Sequence, residues 1–518
     1  MSRWNLTWLV SAFAVTLFGL SLTWGFQRET NRPGKHENLR LLVDVLDEVQ
    51  QRYVKELDQD KMRDLVENMI KGGLERLDPH SDFINEDDFR QFKQHSTGKF
   101  GGVGIRLGME PRTGQFLVES PMPGTPAYDA GIMAGDLILK INGKSTEQMT
   151  LKKVVDLIQG EPGTDVTLTV LHEHAKEPVD KTIKRAEINI ESVMGDRRIP
   201  DRHQEWDFWI DRETKVGYIR ITSFAETTVE ELTKVVEQLQ NAGMRGLVVD
   251  LRTNPGGLLR AAVDVSSMFL PEGKNIVTTK GRGGVVEDVY NSHHKTPKIK
   301  ADGYPIAIII NRYSASASEI VAAALQDHAR AVIIGERSYG KGSVQNLIPM
   351  EGGRSALKIT TASYWRPSGR NIHRFPDSKE EDEWGVRPNK GYEVKLTAEE
   401  RAEYFKYRRE RDVVRRDGEN GKQPEDEPTE VKAPGAKKEE GKKGPYRDKV
   451  LDKALEYIRG ELAQGNARPQ PGAQAPLPPA AAPAVPAPAA RAEARPVPAA
   501  ELPSAAMAER RAKVSQTR

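Results

Sequence analysis

The sequence contains no cysteine among its 518 residues. Disulfide scaffolds, thiolate zinc sites, cysteine-ligated iron–sulfur clusters and cysteine nucleophiles are therefore excluded. An excess of one charge is also missing, because 77 lysines and arginines stand against 75 aspartates and glutamates, for a formal net charge of +2. That balance argues against a protein that binds nucleic acid through bulk charge.

Apolar residues are scarce, at 37% of the chain, and the C-terminal region accounts for much of this. The stretch from Glu410 to Arg447 is rich in charged residues, glycine and proline, and Pro469 to Ala500 is dominated by proline and alanine. Such compositions cannot bury a core, so a disordered tail is expected. Apolar residues from Val450 to Ile458 recur with helical spacing and predict one isolated helix between them.

The N-terminus has the chain's longest uncharged run, from Trp4 to Phe26, between Arg3 and Arg28. As a helix it is long enough to cross a ~30 Å hydrocarbon core, and tryptophans lie near both of its ends. The run predicts an uncleaved membrane anchor, with a cleaved signal peptide as the alternative. Both interpretations place the remainder of the chain outside the cytoplasm.

Two amphipathic helices are predicted next. Apolar residues recur in steps of three and four from Leu39 to Tyr53 and again from Met62 to Leu74. A helix pair of this size has little core of its own. Its apolar face is therefore a candidate surface for self-association into a homo-oligomer.

Short strands punctuated by glycine follow, from Phe100 to about Ala186. A small-residue helix, a Gly-Asp turn at Gly135 and a strand ending Ile-Asn-Gly143 resemble a PDZ domain. That resemblance implies a sheet edge that binds a peptide strand, and a glycine loop that holds the peptide's terminal carboxylate. The loop falls on Gly101, Gly102, Val103, Gly104 and Ile105. The glycine spacing there does not fit a dinucleotide-binding turn.

Strand and helix patterns alternate from Lys215 onward and predict an α/β core. Three turns after its strands carry residue types suited to catalysis. Leu251 to Gly257 offers glycine N–H groups to an oxyanion. Asn311 to Glu319 alternates serine with alanine at a helix start, where a capping box needs only one serine. Gly335 to Gln345 nearly spells a phosphate-binding loop, but Gly342 replaces the Mg²⁺-binding hydroxyl and no helix pattern follows.

Lys341 lies between glycines in the third turn. Burial disfavours a charged amine and lowers its pKa, so a neutral lysine becomes a general base toward a serine hydroxyl. Gln345 follows four residues later, and in a strand both side chains point to one face, where the amide orients the amine. Four histidines are candidates for a histidine triad, and none of them occupies a matching motif: His293, His294, His328 and His373.

These motifs together resemble the carboxy-terminal processing peptidases, also called tail-specific proteases. The resemblance rests on Ser-Ala-Ser-Ala-Ser-Glu, Tyr-Gly-Lys-Gly, Asn-Pro-Gly-Gly and an Asp78-Pro-His-Ser motif. It implies Ser316 as nucleophile, Lys341 as general base and Gln345 as its orienting partner. It further implies an oxyanion site made by the backbone N–H of Ala317 and of Gly256 or Gly257. No metal or organic cofactor is implied.

The resulting expectation is a multidomain α/β protein whose crotonase- or Clp-protease-like peptidase core carries an inserted PDZ domain. The predicted segments are 1–27 (anchor or signal), 36–96 (helical domain), 97–186 (PDZ), 187–395 (peptidase core with cap), 396–465 (charged linker and helix) and 466–518 (disordered tail).

The expected function is serine endopeptidase cleavage of proteins whose free C-terminal tails bind the PDZ domain. The alternative is a membrane-tethered PDZ tail-binding or chaperone-like protein with an inactive core. Expected partners are tails of envelope proteins, an adaptor, and the membrane through the N-terminal segment, without nucleic acid. The expected location is the periplasmic side of the bacterial inner membrane, or the periplasm or exterior after cleavage.

Overall fold

The computed structural model describes residues 35–110, 112–173, 175–199, 202–293, 303–414 and 446–465. The predictions for Trp4 to Phe26, His294, the charged stretch 415–445 and the tail 466–518 lie outside these ranges. Within them, no helix combines the length and apolar character needed to cross a membrane.

Two amphipathic helices open the described chain, α1 (Lys35–Arg52) and α2 (Gln59–Glu75). Asp58 caps α2 by accepting a hydrogen bond from the backbone N–H of Lys61. The short strand β1 (Asp82–Ile84) and the helix α3 (Glu86–Thr97) follow.

The glycine-punctuated region folds into an antiparallel sheet with two small helices. Its elements are β2 (Lys99–Gly102), β3 (Ile105–Met109), β4 (Phe116–Pro121), α4 (Pro126–Asp129), β5 (Leu137–Ile141), β6 (Lys144–Ser145), α5 (Leu151–Ile158), β7 (Asp165–Leu171), β8 (Val179–Lys184) and β9 (Ala186–Asn189). The strand order is β3-β4-β5-β7-β8, with β6 beside β5, while β2 pairs with β9. Alternate residues of β7 (Val166, Leu168 and Val170) are buried in a separate core. β3 is thus an edge strand.

The remaining strands and their helices form the largest region. In chain order they are β10 (Val193–Met194), β11 (Arg197–Ile199), β12 (Arg202–Asp207), β13 (Trp209–Asp211), β14 (Val216–Ile221), α6 (Thr228–Asn241), β15 (Gly246–Asp250), α7 (Leu259–Phe269), β16 (Asn275–Lys280), β17 (Val286–Asn291), β18 (Ile306–Ile310), α8 (Ala317–Asp327), β19 (Val332–Gly335), β20 (Ser343–Met350), β21 (Ser355–Trp365), α9 (Ala398–Asp412) and α10 (Lys449–Ala463).

The centre of this region is the parallel sheet β14-β15-β18-β19. Apart from Arg220 and Asp250, its strands consist of apolar residues and glycine, because both faces of the sheet are covered, as in other α/β sheets. Helices α6, α7 and α8 contribute to the core on one face. On the other face α10 buries five side chains against the strands: Val450, Ala454, Leu455, Tyr457 and Ile458.

The prediction of an isolated helix within a 396–465 linker is therefore wrong. The apolar stripe of α10 completes the second layer of the sheet, and Ile458 approaches so closely that a Cβ on Gly246 would lie 2.4 Å from it. Buried ion pairs hold both C-terminal helices to the core. Arg252 binds Asp448 just before α10, and Arg220 binds Asp412 at the end of α9.

A second sheet joins the N-terminal segment to the same region. Its order is β1-β21-β16-β17, with β20 beside β21, so β1 pairs directly with the hairpin formed by β20 and β21. Arg63 of α2 also binds both carboxylate oxygens of Glu351 at the tip of that hairpin, at 2.8 and 2.9 Å. The residues predicted as an N-terminal helical domain, 36–96, thus contribute a strand to this second sheet.

Candidate active site

Three loops meet at one edge of the parallel sheet. They follow β15, β18 and β19, whose carboxyl ends lie side by side because the three strands are parallel neighbours. This edge is where α/β sheets commonly bind ligands. The structure therefore brings together the three turns that the sequence analysis selected.

Ser316 stands at the N-terminal cap of α8 in a strained conformation. Its φ of 55° and ψ of −113° place a residue with a Cβ in a region that favours glycine. Gly256 approaches so closely that a Cβ on it would lie 2.8 Å from the Ser316 Cβ. Strain of this kind persists where surrounding structure enforces it, and it is concentrated at functional sites.

The flanking serines have structural bonds that distinguish them from Ser316. The Ser314 hydroxyl donates to the Leu251 carbonyl at 2.8 Å, and the Ser318 hydroxyl donates to the Asn254 carbonyl at 3.0 Å. Both serines are fully buried. They attach the serine loop to the glycine loop, whereas the Ser316 hydroxyl donates no such bond within the described residues.

Glu319 links the serine loop to the lysine loop. Its buried carboxylate accepts four hydrogen bonds: from Ser316 N at 2.8 Å, Lys341 N at 2.8 Å, Gly340 N at 2.6 Å and the Ser338 hydroxyl at 2.6 Å. Burial raises the pKa of this carboxyl to about 7, although the four donors favour its ionised form. The sequence predicts only a helix cap for Glu319. It does not predict the hydrogen bonds from the lysine loop, since Lys341 is distant in the chain.

Lys341 is largely buried, and burial lowers the pKa of its amine. The positive charge of Lys358 lowers this pKa further, while the Glu319 carboxylate opposes the change. Gly342 follows it, and a Cβ there would lie 2.2 Å from the backbone N of His373. The chain then enters β20 rather than a helix, unlike a phosphate-binding loop.

The prediction that Lys341 and Gln345 lie in one strand is wrong. β20 begins at Ser343, after the lysine, and its register with β21 shifts between Val344 and Gln345. Strand alternation therefore cannot place the lysine and the glutamine on one face. The Gln345 amide nitrogen donates to Ser343 Oγ at 2.8 Å and to Thr360 Oγ1 at 3.2 Å.

The two candidate oxyanion glycines differ in their hydrogen bonds. The N–H of Gly256 donates to the Asn254 side-chain oxygen at 2.8 Å and is therefore occupied. The N–H groups of Gly257 and Ala317 have no acceptor within the described part of the chain. Gly257, with a φ of 147°, admits no side chain, because a Cβ would lie 2.2 Å from the Phe224 carbonyl oxygen.

The histidines that the structure describes form no triad with Ser316. His293 binds Asp264 at 2.9 Å, and His328 Nε2 lies 2.6 Å from the Asn275 carbonyl oxygen. His80 and His373 instead line a groove of about 660 Å³ beside Gly340. Burial lowers the pKa of His80, and the charge of Lys341 lowers it further, so this histidine is a neighbour of the lysine that sequence reasoning did not identify.

The predicted carboxylate-binding loop lies beside the edge strand β3. The N–H groups of Val103 and Gly104 have no acceptor among the residues that the structure covers. Gly101 and Gly102 are instead in β2, paired with β9, while Ile105 begins β3. A Cβ on Gly104 would lie 2.3 Å from the Thr125 hydroxyl oxygen, which explains the glycine at that position.

Comparison with known proteins identifies both regions. The model for peptidase family S41 matches residues 215–383, and a PDZ domain model matches residues 117–171. A carboxy-terminal-processing protease of Bartonella bacilliformis is 36% identical over 448 residues, covering 85% of this chain and 93% of that protein. The chain belongs to peptidase family S41. It is a serine peptidase of the carboxy-terminal processing type with a PDZ domain, as the sequence motifs predicted.

Other family members are similar over much of the same length. The carboxy-terminal processing protease CtpA of Bacillus subtilis is 34% identical over 368 residues, or 70% of this chain and 73% of its own. Among solved structures, a photosystem II D1 C-terminal processing protease is 26% identical, with a TM-score of 0.37, and the match covers 68% of this chain and 86% of that one.

Proposed function

We propose that this S41 peptidase hydrolyses peptide bonds with a Ser316–Lys341 dyad. The observation that carries the proposal is the Glu319 carboxylate, one oxygen of which lies 2.8 Å from the backbone nitrogens of both Ser316 and Lys341. A buried carboxyl group shared in this way holds a strained serine and a lysine of lowered pKa in adjoining loops. The strained conformation of the serine and the lowered pKa of the lysine are expected of an activated nucleophile and its base.

The chemical steps follow from these groups. Neutral Lys341 takes the hydroxyl proton as Ser316 Oγ attacks the substrate carbonyl carbon, and the resulting oxyanion accepts hydrogen bonds from Ala317 N–H and Gly257 N–H. The lysine returns the proton to the leaving amine as the C–N bond breaks. A water molecule then gives a proton to Lys341, attacks the acyl-enzyme ester and releases the acid, and the serine recovers its proton.

Tail recognition is assigned to the PDZ domain. A free C-terminal strand pairs with the open edge of β3, while Val103 N–H and Gly104 N–H donate to its carboxylate. The position of β3 at the edge of the sheet supports this assignment. Binding of the tail then aligns the protease for cleavage, so that the PDZ domain gates the active site.

Peptide cleavage by matched variants tests this function. A fluorescent peptide with a free C-terminus is incubated with the wild type, Ser316→Ala and Lys341→Ala, with Ser145→Ala and Lys390→Ala as exposed controls. Cleavage is expected only in the wild type and the controls, and full cleavage by either dyad variant contradicts the mechanism. Binding without turnover by the wild type favours the alternative of an inactive tail-binding protein. An amidated peptide is expected to be cleaved more slowly, since it lacks the carboxylate.

The cellular setting is proposed from the sequence. Trp4 to Phe26 anchors the chain in the inner membrane, or exports it if cleaved, so that the protease acts on envelope proteins, with or without an adaptor. We also propose that a second copy of the chain covers α1. Five apolar side chains of that helix are exposed (Leu39, Leu41, Leu42, Val43 and Val45), which supports this assembly.

A further inference from the structure

A chain of hydrogen bonds runs from the N-terminal segment to Gln345. Gln345 and Thr360 are direct cross-strand partners in the hairpin of β20 and β21. The Gln345 amide nitrogen donates to Thr360 Oγ1 at 3.2 Å, and Thr360 Oγ1 in turn donates to Asp78 Oδ1 at 3.0 Å. Asp78 lies shortly after α2, far from both strands in sequence, so this contact exists only in the folded chain.

Asp78 is itself held firmly at this position. Its carboxylate accepts from the backbone N–H groups of His80 and Ser81, at 2.8 and 2.9 Å, and from the Ser81 hydroxyl at 2.6 Å. The Ser81 oxygen also accepts from Thr360 N at 3.0 Å, so two bonds join this turn to β21. Burial opposes ionisation, but these hydrogen bonds lower the pKa of Asp78, and it is an anion at neutral pH.

The direction of these bonds determines how the amide is oriented. An ionised carboxylate only accepts, so the Thr360 hydroxyl must point its hydrogen at Asp78 and offer its lone pairs to Gln345. The amide nitrogen of Gln345 turns toward those lone pairs and donates its second hydrogen to Ser343 Oγ. Its carbonyl oxygen then faces away from Thr360 and is the amide atom left to accept a hydrogen bond.

We propose that Asp78, acting through Thr360, is a positioning residue that orients the Gln345 amide toward the Lys341 amine. This inference rests on the proposed Ser–Lys mechanism and adds a positioning residue to it. The N-terminal segment thereby belongs to the catalytic apparatus, in addition to its strand β1 and the Arg63–Glu351 ion pair.

Variants of Thr360 test the proposal in the full-length protein. Thr360→Val removes the hydroxyl with little change of shape, and Thr360→Ser restores it. Thr361→Val is a matched control on the same strand, since the Thr361 hydroxyl is buried without a hydrogen-bond partner in the described structure. We expect Thr360→Val to lower kcat at least tenfold with KM within twofold, and both Thr360→Ser and Thr361→Val to remain within threefold of the wild type.

Asp78→Asn provides the second arm, combined with Thr360→Val in a double-mutant cycle. If the two residues act through one chain of bonds, the kcat of the double variant is no lower than the kcat of the less active single variant. The proposal is overturned if Thr360→Val turns over as fast as Thr361→Val, if serine fails to restore kcat, or if the two losses multiply. Ser316→Ala and Lys341→Ala distinguish these failures from failure of the mechanism itself, because their inactivity does not depend on Asp78.

Discussion

Replacing Glu319 with glutamine tests how the two catalytic loops are held together. All four groups that bond to this carboxylate are donors. The glutamine side chain has one acceptor oxygen, which can serve two of these donors. Its –NH2 group faces the other two donors, which then have no acceptor. Each buried donor left unsatisfied costs about 1–3 kcal/mol, so two of them destabilise the fold by roughly 2–6 kcal/mol. Displacement of a reacting group by about 1 Å also costs about 100-fold in rate.

The pH dependence that Glu319 gives to the wild-type protein, and that Glu319→Gln lacks, has a defined sign. Burial raises the Glu319 pKa from 4.5 to about 7. The folded protein therefore keeps a proton that the unfolded chain releases, and the resulting stability is present below about pH 4.5 and lost as the pH rises through 7. The loss is roughly 3 kcal/mol at about 1.36 kcal/mol per pH unit. Activity is instead expected to rise as the pH rises through 7, because only the ionised carboxylate accepts all four hydrogen bonds.

Thermal unfolding and peptide cleavage between pH 4.5 and 8 measure both effects, with exposed Glu56→Gln as control. Wild-type Tm is expected to exceed that of Glu319→Gln most at low pH, with the difference shrinking by several degrees as the pH rises. The variant's kcat at pH 8 is expected to be about 100-fold below that of the control. The reasoning is refuted if the Tm difference is constant across pH, or if Glu319→Gln cleaves as fast as Glu56→Gln.

Three further predictions follow from the same geometry. Ser316→Gly removes the strained Cβ and is expected to raise stability by about 1 kcal/mol while abolishing cleavage; a lower Tm contradicts the assigned strain. Ile458→Ala creates a cavity beneath β15 and is expected to cost about 2–5 kcal/mol in denaturant unfolding, whereas an isolated helix would show no change. Because burial lowers the Lys341 pKa, kcat/KM is expected to rise with pH through a midpoint below the ordinary lysine value of 10.5. A midpoint at or above that value argues against a neutral lysine base.

The elements around the site were predictable because local patterns determine them. The run from Ile306 to Ile310 is a buried strand in the structure, as its uninterrupted apolar character indicated. The serine turn likewise opens a helix at Ala317. In both cases, propensity, capping residues and burial favour the same local structure, so no distant contact was needed to predict it.

The features that sequence reasoning missed all depend on contacts between distant segments. Glu319 has the signature of a helix cap, and nothing near it in the sequence indicates that the lysine loop also binds its carboxylate. The apolar stripe of α10 follows a charged stretch, so its position on the central sheet was not evident from composition. Strand alternation failed to relate Gln345 to Lys341 because β20 begins only at Ser343 and its register with β21 then shifts.

Trapping the acyl-enzyme tests the central claim most directly. The protein is mixed with an activated peptide ester, quenched in acid and digested, and the modified residue is located by mass spectrometry. The account predicts an acyl group on Ser316 that forms rapidly in the wild type, at least 100-fold more slowly in Lys341→Ala, and not at all in Ser316→Ala. Acylation of another residue, or equal rates with and without the Lys341 amine, would contradict it.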